Sequence, residues 1–497
     1  MSDLLYQGND WDFAMLERCL DAVEAIGKND LGMNLYPNQV EIISAQQMLD
    51  AYSSHGMPIM YNHWSFGKRL IRDTALYKKG HMGLAYEIIV NTNPSIAYLM
   101  EENTATMQLL VLAHASVGHN FCFANNYMFR QWTDADAIVD YLNFAKSYIN
   151  TCEEKYGIDA VEKLLDSCHA LMSHGVDKYN RARKLNAKRE EVKQRARLEE
   201  WERSQTEMWY TLDPNVRLQK PRSRQLLDEP EENLLYFLEK NSPILKPWQR
   251  EIVRIVRKVS QYWYPQIFTK TLNEGIATFT HHYILNKLYD QGRITNGNML
   301  EWLSSHANVI YQPSYDSKHY SGINPYALGF AIFKDIQRIC EHPTEEDRSW
   351  FPKLAGSDWK SAVREAATQY RDDSFIMQWL SPKVARDLKL FSIVDDQKKK
   401  HLTVSSIHNE ETFVDLRSNL ANQYDHNSHA PNILVVDADL GGDRVLKLEH
   451  RRYQNRDLDN NTQLLLTHIQ RLWGFAVTLN SVDTSGRTVF SYQAQAT

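Results

Sequence analysis

The chain has 497 residues, of which 43% are apolar, 11% aromatic and 24% charged, with a net charge of −6 at neutral pH and an isoelectric point near 6.3. That size leads one to expect two or three domains, the aromatic content excludes wholesale disorder, and the acidic balance argues against a dedicated nucleic-acid binder. Five scattered cysteines (Cys19, Cys122, Cys152, Cys168, Cys340) form no CxxC pair, the N-terminal tract MSDLLYQGNDWDF lacks an export signal, and no apolar run reaches the ~20 residues of a membrane span, so a soluble cytoplasmic protein with reduced thiols is expected.

Taken in order, residues 11–26 place Phe13, Leu16, Leu20, Val23 and Ile26 on one helical face. Pro37 is suited to open a second helix over Val40–Ser53. The tract YNHWSFGK (61–68) gathers aromatics around His63 and leads into a helix through Tyr77. Residues 86–91, YEIIVN, read as a strand; Asn93-Pro94 breaks it, and Ser95 is placed to cap a helix. Amphipathic helices follow at 134–155 and 159–172. From Asp177 to Trp209 charges dominate, and the reading is an exposed helix that is either simply solvated or docks a partner. Residues 211–232 carry Pro214, Pro221 and Pro230 and read as a linker. Helices resume at 233–240 and 248–262, and again at 322–336, where Asn324 caps and Pro325 takes the first turn. Beyond residue 383, strands at 388–394, 402–407, 433–436, 445–448, 476–479 and 488–492 alternate with helices at 410–424 and 459–473. The fold expected is a mainly α-helical region, 1–382, followed by a smaller α+β domain, 383–497, with an antiparallel sheet.

The chemistry concentrates in two greasy stretches. Residues 101–126, EENTATMQLLVLAHASVGHNFCFANN, are among the most apolar of the chain yet carry His114 and His119. Burying an unpaired polar group costs about 2–7 kcal/mol, so these histidines are either satisfied core residues or part of a site. Their spacing of five puts them about 140° apart on a regular α-helix, too far for one metal ion unless the helix ends or carries a π-bulge there. Gly118 makes either deviation cheap. The second stretch, TLNEGIATFTHHYI (271–284), sets Glu274 between Leu272 and Ile276 on what reads as a half-buried helix. A buried carboxylate is paired or bound to a cation, and a simple cap or ion pair is the alternative to a site. His281 lies nearly two turns on, about 10.5 Å along the axis, on the same face.

Weaker candidates surround these. Glu101, Glu102 and Asn103 carry ligand-type groups but stand three turns from His114 if the helix is unbroken. Glu87 in the strand and His63 in its aromatic tract are similar. Asp437, Asp439 and Asp443 around Gly441-Gly442 fail the EF-hand pattern and read as a hairpin turn. No nucleotide-binding loop is visible.

The segment Asn273-Glu274-Gly275-Ile276-Ala277 resembles the second motif of gluzincin metallopeptidases, which supplies their third zinc ligand. Zincin-like helices would then belong to the N-terminal region. The preceding stretch WQREIVRIVRK (248–258) has Arg250 and Arg254 where that family's HExxH histidines would stand, so a metal would need histidines from far upstream. YNHWSFGK, NTNPSIAYLMEENT, HASVGHNFCFANN, TLNEGIATFTHH and INPYALG, in this order, together resemble the SpoVR family, the stage V sporulation protein R group, in its Gram-negative form. The resemblance implies a cytoplasmic protein of sporulation or stress-response physiology, encoded in some bacteria beside a serine protein kinase and a von Willebrand-type partner. It brings no established reaction. It does imply that the conspicuous histidines and Glu274 share a site. Two readings follow. One is a hydrolase-like protein holding zinc or another divalent metal on His114, His119 and Glu274, with His281 and Glu102 as catalytic candidates. The other is a regulatory scaffold whose charged helix and C-terminal domain dock the kinase and the von Willebrand-type protein.

Overall fold

In a computed structural model, the chain is described over residues 4–54, 57, 59–179, 230–390, 392–394, 403–406, 410–425, 430–438, 440, 442–454, 456–459 and 461–495, with Arg189, Val192, Ala196 and Glu199 singly. Most of the charged stretch 177–209 and of the linker 211–232 therefore lies outside the described residues. The chain forms two units, Met1–Ser147 with Tyr264–Asp425 and Tyr148–Trp263 with His426–Thr497. Among the described residues no helix is long and apolar enough to cross a membrane.

The first unit is helical with a small sheet. Helix α1 (Phe13–Ala25) is capped by Asp12, which accepts from Met15 N, and buries Leu16, Cys19 and Val23, while Phe13 stays outside. The helix expected over Val40–Ser53 begins only at Ala45. Asn38–Ile43 forms β1, and only after Ser44, whose capping box with Gln47 starts a new element, does α2 (Ala45–Ser53) begin. His63 caps α3 (Trp64–Lys78) by accepting from Ser65 N. After β2 (Glu87–Val90), Ser95 starts β3 (Ser95–Met100) rather than a helix. The reason is pairing. β3 lies between β1, parallel from Asn38↔Ser95 to Ile43↔Met100, and β2, antiparallel from Glu87↔Leu99 to Val90↔Ile96. The alternation of β3 buries Ser95, Ala97 and Leu99.

Residues 101–126 do not make one regular helix. Thr104 caps α4 (Ala105–Val111), a π-helical segment spans Leu112–His119, and α5 (Asn120–Asn125) completes the run. Against the π-helical segment packs α6 (Lys270–Asp290), and α6 in turn packs on α7 (Asn296–Val309) and α8 (Pro325–Glu341). As expected, Asn324 caps α8 and Pro325 takes its first turn. The N-terminus of α6 lacks a side-chain cap of its own. Asp372, at the start of α9 (Asp372–Trp379), supplies it by accepting from Thr271 N at 2.9 Å and Leu272 N at 2.8 Å. A two-stranded antiparallel ladder, β4 (Ser392–Val394) with β5 (Thr403–Ser406), also falls in this unit.

The second unit holds the C-terminal α+β fold. Its sheet runs β6 (Ile433–Ala438), β7 (Leu446–Arg451), β8 (Val477–Val482) and β9 (Thr488–Ala494). The outer pairs are antiparallel and the central pair, β7 with β8, is parallel, its crossover being the helix Thr462–Trp473. In the same unit Arg254 and Arg257 grip the buried carboxylate of Glu239 at 3.0 Å each, and Arg250 donates to main-chain oxygens including Ser242 O at 2.5 Å. The arginines that stand where a gluzincin would carry histidines are thus structural.

Candidate metal centre

A π-helical turn, bonded i to i+5, stacks residues five apart on one face, which a regular α-helix would not do. Here it brings the His114 and His119 rings to 4.6 Å, perpendicular to each other. Both residues are buried, 4% and 7% exposed. Helix α6 can approach them closely because Gly118 has no side chain: a Cβ there would stand 2.4 Å from Ala277 Cα. On the other face of α6, a Cβ on Gly275 would stand 2.6 Å from the Gly329 backbone of α8. These two close crossings hold Glu274 over the histidine pair. Its Oε2 lies 3.4 Å from His119 Nε2 and 3.7 Å from His114 Nε2. Ligand atoms of His114, His119 and Glu274 all fall within 4.8 Å of one another. Glu87 adds a second carboxylate, 3.8 Å from His114 Nε2. Its place follows from register: it sits opposite Leu99, and residues directly opposite in an antiparallel pair share a face, here the buried one.

Behind the nitrogens that face Glu274 stand hydrogen-bond partners. His119 Nδ1 meets Asn273 Oδ1 at 3.0 Å; His114 Nδ1 meets His281 Nδ1 at 3.0 Å, and His281 Nε2 meets His306 Nδ1, on α7, at 2.9 Å. Tyr326, in the first turn of α8, stacks on His114 at 6.5 Å. Burial pushes the Glu274 carboxyl up, but the two imidazoles overrule it and hold it well below its usual value. Burial pulls His119 down, and Glu274 with Asn273 more than reverses that. Burial raises Glu87, only partly offset by His114 and His119. Burial and the adjacent imidazoles keep His281 far below the usual histidine value, and burial with His114 pushes His306 down to about 4. Burial, with Glu274 and Glu87, raises the Tyr326 phenol so that it stays a donor.

The donor set fits a divalent first-row ion. A tetrahedral zinc site with bonds of about 2.0–2.1 Å sets its ligand atoms about 3.3 Å apart, close to the spacings of Glu274 Oε2 from the two imidazoles. Two imidazoles with a carboxylate suit zinc and its neighbours better than magnesium or calcium, which prefer all-oxygen sites. Glu274 Oε2 is itself buried and, among the described residues, has no hydrogen-bond partner: its contacts with the histidines are near but not aligned. The side chains of Glu87 and Glu274 are 17% and 18% exposed.

Comparison with known proteins gives the lineage. The family model described as SpoVR like protein matches residues 10–429, and the one described as SpoVR-like C-terminal domain matches 431–484. The chain belongs to the SpoVR family. It is 53% identical over 485 residues to the uncharacterized protein YcgB of Escherichia coli (strain K12), covering 97% of this chain and 94% of that one. No solved structure matches.

The SpoVR tracts can now be read residue by residue. In Asn273-Glu274-Gly275-Ile276-Ala277, Asn273 holds His119, Glu274 faces the cluster, and Gly275 and Ala277 are the points of close helix crossing. In INPYALG, Tyr326 reaches His114 and Gly329 meets Gly275. Asn120 and Asn126 are framework: Asn120 bonds Tyr36 and Asn38, Asn126 bonds Ala367 O and Tyr370 O. Of the residues singled out in the sequence, His114, His119, Glu274 and His281 are brought together. Glu102 is not. It is exposed, and its carboxylate accepts from Ala45 N at the start of α2, 3.4 Å away, because the chain turns out of β3 before α4 begins. His306 had no sequence signal and Tyr326 only its place in INPYALG; Glu87, a weaker candidate in the sequence, joins the cluster, in keeping with its alternation with Ile89 on the inward face of β2.

Proposed function

We propose that this SpoVR protein is a metal-dependent hydrolase of amide or peptide-like substrates, with zinc or a similar divalent ion held by His114, His119 and Glu274. The observation that carries the reading is the buried oxygen of Glu274, without a hydrogen bond among the described residues, facing two imidazole nitrogens at 3.4 and 3.7 Å. A carboxylate in that position is costly unless a cation completes it. Two histidines and a glutamate form a ligand set used by catalytic zinc sites, which keep a further position open. Such an ion, when bound, supplies Lewis-acid activation of water and of a substrate carbonyl. The chain supplies the rest. Asn273 and His281 orient the two ligand histidines. Glu87 acts as the general base, holding and passing a proton beside His114. Tyr326 stays protonated and donates a hydrogen bond to a substrate oxygen.

A scaffold working with a serine protein kinase and a von Willebrand-type partner would leave the cluster as a purely structural polar network. Such networks are stable when every member is hydrogen-bonded, and among the described residues the Glu274 Oε2 faces the imidazoles without an aligned hydrogen bond. Elemental analysis of the purified full chain tests the proposal. About one zinc-class ion per chain is expected in the wild type, with loss of most of it in His114→Ala and in Glu274→Gln. A metal-free wild type whose stability is unaffected by Glu274→Gln would reject it.

A further inference from the structure

We propose that His306 is a positioning residue for the ligand His114, acting through His281, so that the three imidazoles together decide which nitrogen His114 turns toward the ion. The inference rests on the metal-centre reading above and adds a residue remote from the ion.

A neutral imidazole has one nitrogen that donates and one that accepts. Both rings are buried, and the contacts of 3.0 and 2.9 Å each require a donor facing an acceptor. The three tautomers are therefore coupled, and only two arrangements satisfy both contacts. In one, His114 Nδ1–H donates to His281 Nδ1, and His281 Nε2–H donates to His306 Nδ1. His114 Nε2 is then a bare lone pair facing Glu274. In the other, every hydrogen is reversed, and His114 Nε2–H points at Glu274 and Glu87, where it blocks a cation. Only the first arrangement binds metal, and it needs His306 Nδ1 as an acceptor.

The two ligand histidines differ in this respect. His119 is backed by the carbonyl oxygen of Asn273, which can only accept, so its tautomer is set once. His114 is backed by groups that can turn over. Water cannot substitute for His306, because His281 is 1% exposed and His306 6%. The His306 ring is also held in place, edge-on to Phe330 at 4.8 Å and to Trp302 at 5.9 Å.

The test uses the full-length protein with Zn2+ as the probe, measuring affinity by competition with a chromophoric chelator. His306→Asn keeps an acceptor oxygen near the position of Nδ1. His306→Phe keeps a packed ring and removes the acceptor. The expected result is near wild-type affinity for the Asn variant and about 10–100-fold weaker binding for the Phe variant, the range seen when a ligand's supporting partner is lost. In 15N spectra of the zinc-loaded wild type, His306 should carry its hydrogen on Nε2. Equal affinity in all three proteins, an equal loss in both variants, or a zinc-loaded His306 protonated on Nδ1 would each overturn the relay while leaving the metal centre intact. A wild type that binds no zinc would overturn the metal centre and the relay with it.

Discussion

Asn273 and Glu274 are neighbours in sequence yet act on different atoms of the same imidazole. Glu274 faces His119 Nε2, and Asn273 bonds His119 Nδ1. That division separates a group able to bind metal from one that orients a ligand, and it makes Glu87 the residue whose role is most open to test. Its carboxylate lies beside His114 but outside the trio whose atoms all fall within 4.8 Å. Glu87→Gln should therefore retain its metal by elemental analysis. Turnover of any substrate the wild type hydrolyses should fall by about 10²–10⁴-fold, the usual contribution of a general base. Loss of metal in this variant would make Glu87 a ligand instead.

At the scale of elements, the centre exists because a π-helical segment, a glycine-relieved crossing and a borrowed cap coincide. The π-helical segment aligns His114 with His119, Gly118 admits α6, and Asp372 satisfies amides at the α6 N-terminus just before Asn273. Burial pushes the Asp372 carboxyl up to about 7, against an ordinary value of 3.8, even though the Thr271 and Leu272 amides favour its charged form. A carboxyl raised in the folded state stabilises the fold when protonated. Its contribution is full below about pH 4 and is lost as the pH rises through about 7. The wild type should accordingly lose more stability between pH 5 and pH 8 than Asp372→Asn, which has nothing to titrate there. Denaturant melts at the two pH values check this, and parallel profiles would refute it.

For the whole molecule, the metal reading makes stability depend on loading. An ion that binds the folded chain and not the unfolded one adds about 2.7 kcal/mol at one hundred times its Kd. Stripping the wild type with a strong chelator should lower its melting temperature, and restoring Zn2+ should recover it. Glu274→Gln should melt at the same temperature with or without chelator. The second unit carries no His/Glu cluster of this kind among its described residues. A cooperative shift is therefore expected to report on the unit formed by Met1–Ser147 and Tyr264–Asp425.

What the amino-acid order determined by itself was local: the apolar faces of most helices, the Asn324-Pro325 start of α8, the helix–strand alternation after residue 383, and the family tracts that single out His114, His119, Glu274 and His281. For His114 and His119 to share one ion, their five-residue spacing also required a helix end or a π-bulge, but not which. Tertiary pairing decided the rest. Pro37 and Ser95 are good helix openers by type, yet β1 and β3 became strands because each completes the other's hydrogen bonding across more than fifty residues. His306 reached the centre through the packing of α7 on α6, which leaves no mark on neighbouring residues, and Glu87, marked only by its alternation with Ile89, through the register of a sheet. Residue type and spacing act over a turn or two of chain, whereas a metal site is a meeting of side chains whose distances are set only when whole elements are packed.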